Sequence, residues 1–197
     1  MPKRRVLYLT MVRSLFEHCP IVWRPASNNI VEKLECLQKR AFKWIMNDDY
    51  VSYSCGPLYY IDCKQLNILP IKYRFDYHDL KFFHLVVQGF SCIKLPAYLQ
   101  YFSGNRLRSS RLDNKCFVST ILPLGQGNVS TTRRGFSNSY FFRTHLMWNR
   151  LPFDTREIIR PSVFKEKLLK FIWRNLVGND GDSDMNSPVL PNVDVDR

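Results

Sequence analysis

Glycine is scarce in this chain, 8 residues of 197, and the glycine-rich phosphate loops are missing with it: Gly125-Gln126-Gly127 lacks the third glycine and the strand-to-helix setting of a dinucleotide loop. No Gly-x-Ser-x-Gly elbow and no His-Glu-x-x-His pair occurs, which removes two common hydrolase signatures. The six cysteines, Cys19, Cys36, Cys55, Cys63, Cys92 and Cys116, form no C-x-x-C pair. They read as reduced, mostly buried thiols of a cytoplasmic or nuclear protein. Cys55 and Cys63 with His78 or His84 lack the short ligand spacing of a structural zinc site, so neither a metal nor another cofactor is expected. No apolar run approaches the ~20 residues of a membrane-spanning helix. The apolar residues 6–12 follow Lys3-Arg4-Arg5 but are broken by Arg13, with Glu17 and His18 where small cleavage residues belong, so they read as a soluble helix and not a signal peptide. No membrane partner and no small-molecule substrate is expected.

Acidic residues are the other shortage. There are 17 Asp+Glu against 29 Lys+Arg, a net charge of +12. The segment from Asn175 holds Asp180, Asp182, Asp184, Asp194 and Asp196 against Arg197, which leaves +16 on residues 1–174. A body so basic repels itself when folded and is suited to a polyanion, with nucleic acid first and an acidic membrane surface second. Two-metal polymerases need carboxylates on a tight turn to neutralise charge on attacking and leaving oxygens. The one adjacent pair, Asp48-Asp49, follows Met46-Asn47 at a helix end and reads as a solvated terminus. No catalytic residue is assigned.

What is present is a helical pattern with 45% hydrophobic residues, enough at this length for one domain with a real core. Tyr8, Val12, Leu15, Phe16 and Cys19 share one helical face, and Pro20 ends that helix. Ile30, Leu34, Leu37, Ala41, Trp44 and Ile45 form a second stripe, with Asn29 and Glu32 placed as a capping box and Lys33, Lys39, Arg40 and Lys43 on the wet side. Residues 47–63 read as a loop. Helix resumes at Lys64, is interrupted at Pro70, and runs from Ile71 to a Gly89 C-cap, apolar nearly all round and so buried on more than one side. Pro96-Ala97-Tyr98-Leu99 reads as the start of a short helix. Residues 116–121 and 129–134, joined by Gly125-Gln126-Gly127-Asn128, read as a β-hairpin. Residues 137–150 form a helix stopped by Leu151-Pro152, and a last helix carries Phe164, Leu168, Phe171 and Ile172 on one face. The expected architecture is mainly α: a single helical domain, residues 1–174, with a small inserted hairpin and an acidic flexible tail, residues 175–197.

Cations recur beside aromatics: Arg40, Phe42, Lys43 and Trp44; Lys72, Tyr73, Arg74 and Phe75; Tyr140, Phe141, Phe142 and Arg143; Lys170, Phe171, Trp173 and Arg174. This mixture suits single-stranded nucleic acid, because cations release counterions from phosphates and exposed rings stack on unpaired bases. The opposing reading puts the rings in the core and leaves an ordinary wet face. The expected contact residues are Arg106, Arg108 and Arg111 in Arg106-Leu107-Arg108-Ser109-Ser110-Arg111, Arg133 and Arg134 after Thr131-Thr132, and Arg143. In the two turn segments, hydroxyls and guanidiniums alternate and can donate to phosphate oxygens. Residues 101–160 hold ten Lys/Arg against three Asp/Glu.

Four elements recur in one order. They are Leu7-Tyr8-Leu9-Thr10-Met11-Val12-Arg13-Ser14 with Cys19 and Val22-Trp23; Leu34-Glu35-Cys36-Leu37-Gln38-Lys39-Arg40-Ala41; Leu69-Pro70-Ile71-Lys72-Tyr73-Arg74; and Arg143-Thr144-His145-Leu146-Met147-Trp148-Asn149-Arg150-Leu151-Pro152. Together they resemble the segment that follows the reverse transcriptase domain in non-LTR retrotransposon polyproteins, over about residues 6–174. The family's Cys-Cys-His-Cys knuckle has no match here. The resemblance implies a truncated, free-standing and non-catalytic copy of that segment, since catalysis in those polyproteins lies upstream. It implies RNA template, target DNA or other single-stranded DNA as partner, together with an upstream polymerase domain. The alternative is a protein-interaction scaffold that docks on a polymerase or another acidic partner without touching nucleic acid. For Trp148 and Asn149 the structural reading is an indole packed on the long central helix and an amide that caps the helix end.

Overall fold

The computed structural model describes residues 2–24, 28–47, 57–101, 115–119 and 139–178. Among these, helix dominates and a single antiparallel pair of strands accompanies it. The mainly α fold with a small β-hairpin is therefore the observed one. By their contacts the residues group into two compact units, Met1–Asp79 and Leu80–Arg197, a finer division than the single body that length predicts.

The first unit opens with α1 (Pro2–Leu7), a π-helical stretch (Tyr8–Arg13) and α2 (Ser14–Glu17). A π turn holds more residues than the 3.6 of an α turn, so the residues after it are rotated away from the α count. Tyr8 stays buried, but Arg13 takes the inward place expected of Val12, and Leu15 is left 75% exposed. Burying an arginine requires a partner. Arg13 Nε donates to Glu17 Oε1 at 2.5 Å, and the same carboxylate accepts from Arg74 Nε at 2.8 Å and Nη2 at 3.1 Å. His78 Nε2 stands 3.7 Å from it.

Burial alone would raise the Glu17 carboxyl, but His78, Arg74 and Arg13 outweigh burial and hold it well below the ordinary 4.5. A folded-state value depressed in this way contributes stability that is present above about pH 4.5 and lost as pH falls through the folded value. The thermal midpoint of the native protein is expected to drop between about pH 5 and pH 3, and that of Glu17→Gln to start lower and drop less. Parallel slopes in the two melting series would show that Glu17 is not the linked group.

After α3 (Pro20–Trp23), α4 (Asn28–Met46) carries the second stripe, and its packing differs from expectation. Gln38, Lys39, Phe42 and Ile45 face inward, while Ile30, Leu37 and Trp44 are exposed. The reason is a polar network that outcompetes the greasier face. Tyr8 OH donates to Gln38 Oε1 at 3.0 Å, and Gln38 Nε2 donates to Tyr59 OH at 2.8 Å and to the Leu69 carbonyl at 3.1 Å. Lys39 Nζ lies 5.0 Å from the Tyr59 ring centroid. Once its groups are bonded, a glutamine costs little to bury. The helix begins at Asn28, so Asn29 lies inside the first turn and not at the cap.

Residues 57–63, expected as loop, are helical within α5 (Pro57–Leu66). Pro57 occupies the first position, where a missing N–H costs nothing, and Tyr59, Cys63 and Leu66 turn inward at i, i+4, i+7. Asn67 at φ 51° ends it, and Ile68–Pro70 leads into α6 (Ile71–Val87). Glu35, a helix away, serves as the cap of α6: Oε1 accepts the Lys72 N–H at 3.2 Å and Oε2 accepts the Tyr59 hydroxyl. A carboxylate there also complements the positive end of the helix dipole. Farther along, Arg24 reaches two buried carboxylates, Asp76 Oδ1 at 2.7 Å and Asp79 Oδ2 at 2.5 Å.

No residue of α6 is exposed, in keeping with its all-round apolar pattern. It closes as expected at Gly89, φ 74°, with Phe90 N–H on Leu85 O at 2.8 Å and Gly89 N–H on Val86 O at 3.2 Å, the double bond of a left-handed glycine cap.

The second unit contains β1 (Leu99–Tyr101) and β2 (Phe117–Ser119), paired antiparallel with Leu99 opposite Ser119 and Tyr101 opposite Phe117. Residues 96–98 form a turn into β1, correcting the helix expected there: the Leu99 N–H returns to Pro96 O at 2.9 Å, and the chain then extends. The partner of β2 is thus β1; the expected partner, residues 129–134, lies outside the described residues.

Three helices complete this unit: α7 (Tyr140–Asn149), α8 (Phe153–Arg156) and α9 (Pro161–Gly178). Trp148 is fully buried, its ring centroid 5.4 Å from that of Phe83 on α6 and 5.8 Å from that of Phe164 on α9, and its Nε1 donates to Lys115 O at 3.1 Å. Asn149 does not cap α7. Its side-chain amide accepts the Phe117 N–H at 2.8 Å and donates to Phe117 O at 2.7 Å. The end of α7 is served instead by buried Arg156, whose Nη1 donates to Asn149 O at 2.9 Å, a cation at the negative helix end. On α9, Phe164, Leu168, Ile172 and Leu176 form the buried stripe, so the helix continues past the Arg174 boundary to Gly178. The rest of the acidic tail, residues 179–197, lies outside the described residues.

Candidate nucleic-acid interface

Of the expected contact residues, Arg106, Arg108, Arg111, Arg133 and Arg134 lie outside the described residues. So do Asp48 and Asp49. Arg143 is described, half-buried on α7, with its guanidinium carbon 5.6 Å from the Tyr140 ring centroid. The next residue, Thr144, turns its hydroxyl back to Tyr140 O at 2.6 Å. Arg143 is thus held against an aromatic neighbour, a setting in which a guanidinium keeps its charge while its stem packs.

The four cation-aromatic runs separate sharply. Phe42 and Phe75 are core residues, and Arg74 is committed to Glu17. Phe171 and Trp173 are half-buried beside the exposed Lys170 and Arg174 of α9, and Lys170 Nζ pairs with Glu166 at 2.7 Å. The first run keeps an exposed ring next to an exposed cation: Trp44 is 47% accessible, with Arg40 one turn before it. Arg4 comes from α1 to the same place. Its guanidinium carbon lies 5.6 Å over the Trp44 ring, and its Nη1 donates to Trp44 O and to Asn47 Oδ1, each at 2.9 Å. Sequence reading misses this pairing because the partners are forty positions apart. The available clue is the placement of Trp44 seven residues from Leu37 and fourteen from Ile30, a line along one side of a helix.

The buried titratable groups are arranged for packing. His84 stacks on Phe164 with ring centroids 4.0 Å apart, and its Nε2 is 2.6 Å from Ile158 O, so that nitrogen carries the proton. Burial lowers the His84 value, and the hydrogen bond to Ile158 only partly offsets it. His145 is lowered by burial in the same way, against its bonds to the Phe141 and Phe142 carbonyls. Both rings are held toward the neutral form. Burial also pushes the Cys63 thiol up, so it is an inert thiol and not a nucleophile. Of the five described cysteines, Cys63 and Cys116 are buried while Cys19, Cys36 and Cys92 are exposed, which corrects the expectation of mostly buried thiols. Among the described residues no group of His, Cys, Asp or Glu is placed to hold a metal ion, and no helix is long and apolar enough to cross a membrane.

Comparison with protein-family profiles, with curated proteins and with solved structures finds no match to this chain.

Proposed function

We propose that this chain is a non-catalytic region of the kind that follows the reverse transcriptase domain in non-LTR retrotransposon polyproteins, and that it binds RNA or single-stranded DNA through basic surfaces. The observation that carries the family reading is the bonding between the quoted elements. Tyr8 of the first element, Gln38 of the second and Leu69 of the third share one hydrogen-bond chain, and Arg13 of the first and Arg74 of the third share the Glu17 carboxylate. Residues spread over sixty-odd positions of the chain thus close on one another. The fourth element is equally engaged, through Trp148 and Asn149. Such residues define a fold, and the chemistry falls to the surface.

The nucleic-acid reading rests on the +16 carried by residues 1–174 and on the arginine-hydroxyl segments around Arg106–Arg111 and Arg133-Arg134. On this reading the chain has no polymerase or nuclease activity of its own. Binding to single-stranded RNA is expected to weaken by roughly three to five orders of magnitude between about 50 mM and 200 mM salt if ~6–10 phosphates are contacted. Arg133→Glu with Arg134→Glu should remove most of that affinity while the helical CD signal stays. Unchanged affinity would rule out that surface, and a folded chain that binds neither RNA nor DNA at low salt would rule out the nucleic-acid reading.

A second reading has its own observation. Val6, Leu7, Met11, Val12 and Leu15 are all exposed along the opening helices. Apolar exposure concentrated on one segment is a protein-contact signature, in keeping with a scaffold that docks on a polymerase domain or an acidic partner.

A further inference from the structure

The outer side of α4 presents two parallel rows. Ile30, Leu37 and Trp44 form one, at steps of seven residues, and Lys33 and Arg40 form the other, also seven apart. Seven residues are two turns less about 20°, so each row keeps to one side of the helix, the apolar one over about 21 Å and the cationic one over about 10 Å. All five residues are exposed. Trp44 is 47% accessible, whereas Trp148 is fully buried and Trp173 half-buried. Trp44 is also held in place: Arg4 lies over its ring and is itself tied to Trp44 O and Asn47 Oδ1. A ring already ordered by its neighbours loses little freedom when a second planar group stacks on it. Lys43 adds a half-buried cation on the same turn, while Glu32 is displaced about 120° round the helix from Trp44.

We infer that this face of α4 is a stacking platform for single-stranded nucleic acid, with unpaired bases lying on Trp44 and along Leu37 while Arg4, Arg40 and Lys33 meet the phosphates. Charge decides the occupant: the face is apolar in one row and cationic in the next, which fits a ligand with aromatic planes joined by an anionic backbone. Duplex nucleic acid, whose bases are already stacked, gains only the cations. The site rests on the nucleic-acid reading for its ligand class but is separate from the Arg106–Arg111 and Arg133-Arg134 segments.

The test is binding of the full chain to a fluorescein-labelled oligouridylate at fixed low salt, alongside a duplex of equal length. Trp44→Ala should weaken the single strand by roughly 5- to 100-fold, the range of one lost base stack. Trp44→Phe, which keeps a ring, should recover much of that, and duplex affinity should barely change. Lys33→Gln with Arg40→Gln should flatten the log-log salt slope by about 1.4 for two phosphates. CD spectra guard against unfolding, and Trp44→Phe controls for loss of the Arg4 contact. Single-strand affinity unchanged in Trp44→Ala overturns the platform while the proposed function stands, and leaves the face to a protein partner. Equal losses on single strand and duplex also overturn it, because the indole would then be structural. A native chain that binds no oligonucleotide at all overturns the platform and the function together.

Discussion

Trp148→Ala is expected to destabilise the protein by at least ~3–5 kcal/mol, the cost of deleting a fully buried indole from a packed aromatic cluster. Three rings lose a neighbour at once. Phe83 and Phe164 lose a ring neighbour at 5.4 Å and 5.8 Å, and His84 loses one at 6.3 Å. The hydrogen bond from Trp148 Nε1 to the Lys115 carbonyl, 3.1 Å, is lost with them. Urea or thermal melts followed by CD measure this directly. The conservative Trp148→Phe should retain part of the packing but not that hydrogen bond. A variant that stays folded with native stability would point to a base-stacking role for Trp148 instead, because an indole used for binding can be removed without unfolding.

Arg24→Met should cost a comparable ~3–5 kcal/mol, by a different mechanism. The guanidinium spans Asp76 and Asp79, whose side chains are 5% and 1% accessible. Burial opposes the charge on Arg24, but both aspartates more than repay it and raise its value further above the ordinary one. Methionine keeps much of the stem volume and removes the charge, so two carboxylates remain buried together. In the variant the two carboxylates face each other with no cation between them. Adding Asp76→Asn and Asp79→Asn to Arg24→Met should restore most of the lost stability in urea melts at neutral pH. A triple variant no more stable than Arg24→Met would show that the trio is not the source of the loss.

Much of the scaffold is legible in the amino-acid sequence, and the reasons differ by element. The α6 pattern is apolar all round, and such a helix has only one place to go; its Gly89 cap is equally plain, since φ 74° favours glycine. The α9 stripe holds for Phe164, Leu168 and Ile172 and extends to Leu176, while Phe171, expected on the same face, is only half-buried. Two faces depart from the pattern, each for a physical reason. On the opening helix the count assumes 3.6 residues per turn, and the π stretch Tyr8–Arg13 breaks it. On α4 hydrophobicity is the guide, whereas Gln38 is buried by bonds to Tyr8, Tyr59 and Leu69, partners from three distant segments that periodicity cannot anticipate. At the strands, β2 has β1 as a neighbour across a long connection, a pairing that local alternation alone does not point to. At the candidate interface the cation-aromatic runs are visible, but which rings face outward is a property of packing. Trp44 and Phe42 are two residues apart and have opposite fates.

The double hydrogen bond between Asn149 and Phe117 has a consequence for solubility. A primary amide has an N–H beside its C=O, so the Asn149 side chain meets the N–H and the C=O of Phe117 together, as one residue of a neighbouring strand would. Exposed strand edges recruit other chains and seed aggregates. Here the rung beside Phe117 is already filled by a side chain anchored on a helix, and a helix end cannot be extended into more sheet. Among the described residues, one asparagine thus fills the edge of the ribbon at Phe117, where a further chain would otherwise pair.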